Sequence, residues 1–349
     1  SVKLDVFPSD IVSNLAVVKV PRPDLPGAFA GGLLMVDTTK YPDELEFKIG
    51  ASAGFNSIST FQDMPTYTGG KRDWIGFDDG TRELPDLVGG QRLDVGRGGD
   101  GSRYQLPDQV AQVGRSFENI WNPRNKKAIP ELGLKASVGK SGSIGKNDGR
   151  GGFLLSFIYD YDESVKTGFN RRFRFNDEGE PISLLRDFDI KGGNQDVLWG
   201  TFGSGFIELN PDNFLNVTSM FSRVSDDQTL TQLGFTEDTG FDAPQTQNSY
   251  NFIGRTVFFN QLQGDHRNLG DTKVRFQWNA TGGFGRRDEP DRRLIEQFTS
   301  DQLVVRATRF FSDLNQYFVG GTGSVKFPVY QAFESTAYLS FGVNGGYQD

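Results

Sequence analysis

Three acidic pairs, Asp78-Asp79, Asp160/Asp162 and Asp226-Asp227, are the first places in this 349-residue chain where side chains could do chemistry. Two carboxylates facing each other across a cleft can cleave a glycosidic bond, and several converging oxygens can hold calcium. These acids fall at strand ends or in loops, where solvated charge is the commoner use. Gly96-Arg97-Gly98-Gly99-Asp100-Gly101 matches the letters of a dinucleotide fingerprint. No apolar strand precedes it, and Tyr104-Gln105-Leu106-Pro107 is a poor helix start, so it reads as a loop tip. Gly139-Lys140-Ser141-Gly142-Ser143-Ile144-Gly145-Lys146 has the wrong glycine spacing for a phosphate loop, and Asn147 stands where Ser or Thr is needed, so it reads as a turn. The sequons at Asn216-Val217-Thr218 and Asn279-Ala280-Thr281 lie within predicted strands and carry no weight. The chain has no cysteine and one histidine, His266, which leaves little for thiolate or histidine-cluster chemistry. We expect no catalytic residues, metal site or cofactor, and no enzyme. A net charge of −8 argues against general affinity for nucleic acid. Loop aromatics such as Tyr67, Trp74, Tyr104 and Trp121 either stack on a ligand or pack a loop upon itself, and packing is the commoner role. Tyr67, Trp74, Asp78, Asp79 and Trp121 are the ligand-binding candidates.

The elements that must carry these residues are strands. From Leu45 to Phe55 the odd positions are apolar or small and the even positions polar or glycine. That is a strand with one greasy and one wet face. The pattern recurs, and about nine long strands are expected from residue 43: 45–56, 132–139, 152–162, 196–209, 213–225, 249–262, 272–286, 315–327 and one from Thr336. A further hairpin over 294–311 would make ten. Both faces of 196–209 carry apolar residues, which leaves its register open. Tyr159, Tyr161, Tyr250 and Tyr347 near strand ends fit an interfacial girdle. Short connections alternate with long ones near 57–131, 163–195, 226–248 and 287–314. Mean hydropathy is −0.47 and no apolar run is long enough for a membrane helix. A lipid-spanning barrel escapes that test, because only alternate residues meet lipid. The 44 glycines and 31 phenylalanines also suit a barrel better than long helices. Ser1 to Phe7 lacks the basic and apolar regions of a signal peptide, so a signal was removed or the sequence is a piece of something longer.

Residues 1–42 differ from the rest, with apolar runs Leu15–Val18 and Leu33–Val36 flanking a proline-rich turn. The stretch from Phe7 to Lys19 resembles the end of the plug domain of TonB-dependent outer-membrane receptors. So does the stretch from Pro23 to Lys40, with Pro23, Asp24, Gly27, Gly31, Gly32 and Thr38 as its signature. In that family such a segment leads directly into the first barrel strand, and here it leads into the alternating row at Leu45. Gly76 to Pro85 resembles a first-outer-loop segment of the large receptors, and Gly114-Arg115-Ser116-Phe117 with Trp121-Asn122-Pro123 resembles the return to strand two. The sequence departs from the family at Lys19-Val20-Pro21, where many members carry Arg-Gly-Pro. The resemblance implies an all-β fold: the C-terminal end of a plug (1–42), then part of a transmembrane antiparallel β-barrel with long extracellular loops (43–349). It implies TonB-dependent transport of a scarce ligand, such as an iron chelate, cobalamin, oligosaccharide or peptide, across the outer membrane of a Gram-negative bacterium. Implied partners are the TonB complex, outer-membrane lipid, the ligand and a surface lipoprotein acting as a lid. Two alternatives stand beside it: a passive or adhesive barrel, and a secreted β-rich binding protein.

Overall fold

The computed structural model describes residues 12–18, 33–38, 41–88, 107–145, 149–237, 243–269, 272–300, 303–332 and 335–348. The chain is all-β. β1 (Val12–Val18) and β2 (Leu33–Thr38) pair antiparallel, with Thr38 opposite Val12. Pro23, Asp24, Gly27, Gly31 and Gly32 lie outside the described residues. β3 (Glu46–Gly54) opens a second sheet. The segment after it carries β4 (Asp63–Thr66), a short 3-10 turn (Asp73–Ile75), helix α1 (Pro107–Ser116) and β5 (Arg124–Lys127), with β4 and β5 paired. The wall continues through β6 (Glu131–Ile144), β7 (Gly149–Phe175), β8 (Pro181–Asn210), β9 (Asn213–Thr236), β10 (Gln245–His266), β11 (Arg275–Phe298), β12 (Val304–Ala332) and β13 (Ser335–Gln348). Together with β3 these make one nine-stranded antiparallel sheet in which chain neighbours are sheet neighbours. β3 and β13 are its edges, and no closure is seen among the described residues.

Three expectations are corrected. The long connections at 163–195, 226–248 and 287–314 are mostly strand: β7 has 27 residues, β8 has 30 and β12 has 29. Here the two-residue alternation fades, yet the ladder persists because it is built from backbone N–H and C=O groups, which polar residues carry as apolar ones do. The hairpin over 294–311 forms, but as the paired ends of β11 and β12 and not as extra strands, closed by Phe298 N–H donating to Leu303 O at 3.0 Å. The region after Tyr104 does start a helix, α1, with Pro107 as its first residue. Proline is favoured there because that N–H has no helical partner. Residues 96–101 lie outside the described set. In the stretch 139–146 the turn is confined to its end, since β6 runs to Ile144 and Gly145 adopts φ +76°.

Register assigns every residue to a face. Phe47, Val138, Leu155, Gly203, Ser219, Asn260, Gly282, Val319 and Tyr347 form one row across the sheet. On this first face Phe47, Leu155, Val319 and Tyr347 are exposed. The next row up that face, Ile49, Ala136, Phe157, Thr201, Phe221, Phe258, Phe284 and Tyr317, is mostly aromatic. Phe258–Phe284 and Phe284–Tyr317 ring centroids are 5.6 and 6.4 Å apart. Two residues further on, β9 and β11 carry Arg223 and Arg286. The second face is largely polar: Asn216 donates to Gln263 (3.3 Å), Gln263 to Gln261 (3.0 Å) and Asn279 to Thr322 (2.7 Å). Tyr41, just before β3, donates to Asn216 Oδ1 at 3.1 Å on this face. The open register of 196–209 is resolved: Leu198 and Phe202 turn to the second face, in clusters with Ile158 and Val224 and with Leu154 and Met220.

The apolar band on the first face runs obliquely. On β3 its exposed members span Leu45 to Phe55, and on β12 they span Tyr317 to Val329. Register places Ile49 in line with Tyr317. The band's midpoint therefore shifts by about seven residues, ~23 Å along the strands, while seven strand steps carry it ~34 Å sideways. The band is inclined at roughly 35° to the paired rows.

Candidate functional site

Past the aromatic row, the same face is covered by the segment between β3 and β6. Two backbone features let it lie flat. Gly76 has φ +74°, a left-handed conformation suited to glycine, and a Cβ there would meet Ser225 Oγ at 2.8 Å. Gly193 on β8 lets β4 cross against it, since a Cβ would overlap Pro65 O and Met64. Backbone carbonyls of the turn are then pinned by the wall. Tyr159 donates to Trp74 O at 2.7 Å, Trp199 to Ile75 O at 2.9 Å and Arg223 Nε to Gly76 O at 2.6 Å.

Arg82 is the hub, and it is 1% exposed. Its Nε donates to Tyr67 OH at 2.8 Å. Nη1 donates to Asp73 (2.8 Å) and Asp78 (3.0 Å), and Nη2 to Asp73 (2.8 Å) and Asp227 (3.1 Å). All five guanidinium N–H groups are used. The Phe252 ring lies 4.5 Å from the guanidinium carbon, adding a cation–π contact. Burial pushes the Asp227 carboxyl up to about 6, with Asp73 adding to the rise and Arg82 opposing it. Asp79 sits outside this knot. It accepts from Thr81 Oγ1 (2.5 Å) and Lys71 N (2.8 Å), and these bonds hold it down to about 2.

Three further anchors flank the hub. Arg223 grips Asp288 through both Nη atoms, at 2.6 and 3.0 Å, and lies 4.5 Å from the Phe77 ring. Glu163 accepts from Lys126 Nζ (2.7 Å), Ile129 N (3.0 Å) and the Tyr161 hydroxyl. On the far side, Arg293 donates to Ile120 O and Arg309 to Glu118 O, both at 2.6 Å. Both arginines pair with Asp291, an extra residue with φ 55° at a β-bulge in β11. Such a bulge re-aims the strand, and here it brings Arg293 level with Tyr250.

Of the ligand-binding candidates, Tyr67 is buried against Tyr250 at 5.2 Å and Trp121 lies under Arg309 at 5.2 Å. Asp78 is bound up with Arg82. Trp74 alone presents its ring, 59% exposed. Tyr250, expected in a girdle, instead donates to Trp121 O beneath this segment. Trp74 borders an open cleft of about 480 Å³ that includes Lys71, Arg124, Asn125, Lys126 and Gln195. Arg82, Arg223 and Gln195 were not singled out from the sequence. Their partners lie up to 147 residues away along the chain, and no short-range pattern marks them. On the second face the acids at 162 and 226 do align: Asp162, Asp196 and Asp226 are cross-strand neighbours, with Arg255 against Asp226 at 2.5 Å. Asn216 and Asn279 lie within β9 and β11. His266 faces Asn213 (2.9 Å) and accepts from Trp278 (3.2 Å). No family model matches the sequence, and no curated protein aligns with it significantly.

Proposed function

We propose that this chain is part of the wall of an outer-membrane β-barrel that imports a scarce ligand with TonB-delivered energy. The observation that carries the reading is the oblique apolar band. Strands crossing a bilayer in a barrel tilt by about 35–45°, and a band inclined at roughly 35° to the strand pairing is what a flat hydrocarbon slab would select from such a wall. Its extent on β3, ten residue steps at that tilt, is about 27 Å, near the ~25 Å apolar height of such barrels. The aromatic row Phe221–Phe258–Phe284–Tyr317 lies where an interfacial girdle belongs, with arginines immediately beyond it on β9 and β11. The polar second face, where Tyr41 leads in from the N-terminal segment, suits a lumen occupied by a plug. The step to TonB and transport rests on the resemblance of residues 7–40 and on the pairing of β1 with β2.

The test has two parts. Carbonate-washed envelopes of a cell expressing the full-length protein should retain it, and recovery in the soluble fraction sinks the membrane reading. Cells should then accumulate the cognate ligand only while the inner-membrane proton gradient stands. Uptake that survives an uncoupler would favour a passive barrel.

A further inference from the structure

The wall has a cleft on its first face that the transport reading does not use. We propose that it holds the phosphate-bearing headgroup of an outer-leaflet lipid. This rests on the assignment of that face to the bilayer. Position is the first reason. Tyr159 and Trp199, which border the aromatic row, bind the carbonyls of Trp74 and Ile75. The cleft reaches from there to Gln195, four residues beyond Trp199. Four residues on a strand tilted by ~35° climb about 11 Å, which spans the headgroup layer above the hydrocarbon.

Chemistry is the second reason. The acids near the floor are held by cations: Asp73 by Arg82, Asp227 by Arg82 through Oδ2 with Oδ1 left without a partner, and Glu163 by Lys126. Among the described residues the side chains of Lys71 and Arg124 have no partner, and neither does the Trp74 indole N–H. These three groups can only donate. Two unpaired cations and an indole N–H at one mouth favour an oxyanion over a neutral ligand. Arg124 can grip a phosphate with two N–H groups, while Lys71 adds a point charge. Trp74 has the amphipathic ring that settles at a membrane interface. A volume of about 480 Å³ admits a headgroup.

The full-length protein is reconstituted into phosphatidylcholine vesicles with and without phosphatidylglycerol, re-extracted gently, and its retained lipid counted by native mass spectrometry. Wild type should keep phosphatidylglycerol in preference to phosphatidylcholine. The double variant Lys71→Ala/Arg124→Ala should insert equally well and lose that preference by about thirty-fold, since each basic residue at an anionic surface is worth about a factor of five. Lys135→Ala, on the opposite face, should retain it. Equal retention by wild type and the double variant overturns the site while leaving the wall intact. Displacement of the lipid by an equal concentration of inorganic phosphate also overturns it, marking a soluble-anion site. Failure of every variant to insert overturns the bilayer assignment itself, and the lipid site with it.

Discussion

At the residue scale, Arg82 decides whether the segment after β3 stays on the wall. It neutralises parts of three carboxylates and its side chain is 1% exposed. Removing one partner from a buried ionic knot commonly costs about 3–5 kcal/mol, because the remaining charges stay buried. Arg82→Met should therefore free residues 67–82 to exchange amide hydrogen rapidly while β8 and β9 stay protected. Unchanged protection at 67–82 would show that the backbone pins at Trp74, Ile75 and Gly76 suffice. Asp227 makes this knot pH-sensitive. Its carboxyl titrates near 6 in the folded chain against about 4 when unfolded. The folded state thus binds the proton more tightly, so this group's contribution is most favourable below about pH 4 and declines as pH rises to about 6. Asp227→Asn should flatten the pH dependence of exchange at 67–82 across that window. A slope identical to wild type would assign it to another group. Asp78 and Tyr67 were visible in the sequence as polar or aromatic loop residues. Their common partner was not, because Arg82 meets Asp227 across 145 residues of chain.

At the element scale, strand cores were legible and strand lengths were not. The alternation of Leu45 to Phe55 marks β3 to within a residue or two. In β7 to β12, however, apolar alternation ends at the aromatic row or within about four residues of it, as at Tyr161 and Val197, while the backbone ladder continues well past it. Periodicity reports what each face touches, so it stops at a change of environment, not at the end of a strand. Helix α1 was hidden by Pro107, which opens a helix as readily as it breaks one. The crossing of β4 over β8 depends on Gly193, where an added Cβ would overlap Pro65 O. Gly193→Val should lift β4 from the wall and lower stability by about 1–3 kcal/mol, with the loss seen first as exchange at Asp63–Thr66. Full protection there would mean that β8 can yield instead.

At the scale of the whole molecule, the central claim is that the first face meets lipid along an oblique band and the second faces water. A charge on the lipid side near mid-band should cost about 2–4 kcal/mol, whereas the same charge on the lumen side should not. Val217→Arg should thus impair assembly in vesicles, and Thr218→Arg, one residue along β9 and on the other face, should be tolerated. The most direct measurement is spin-label accessibility along β9 in the full-length protein reconstituted in lipid. Labels at 215, 217, 219 and 221 should be open to lipid-soluble oxygen, and those at 216 and 218 to a water-soluble nickel reagent, while 220, buried against Leu154 and Phe202, should be shielded from both. The alternation should end at Arg223. Water-soluble reagent reaching both sets equally would contradict the account.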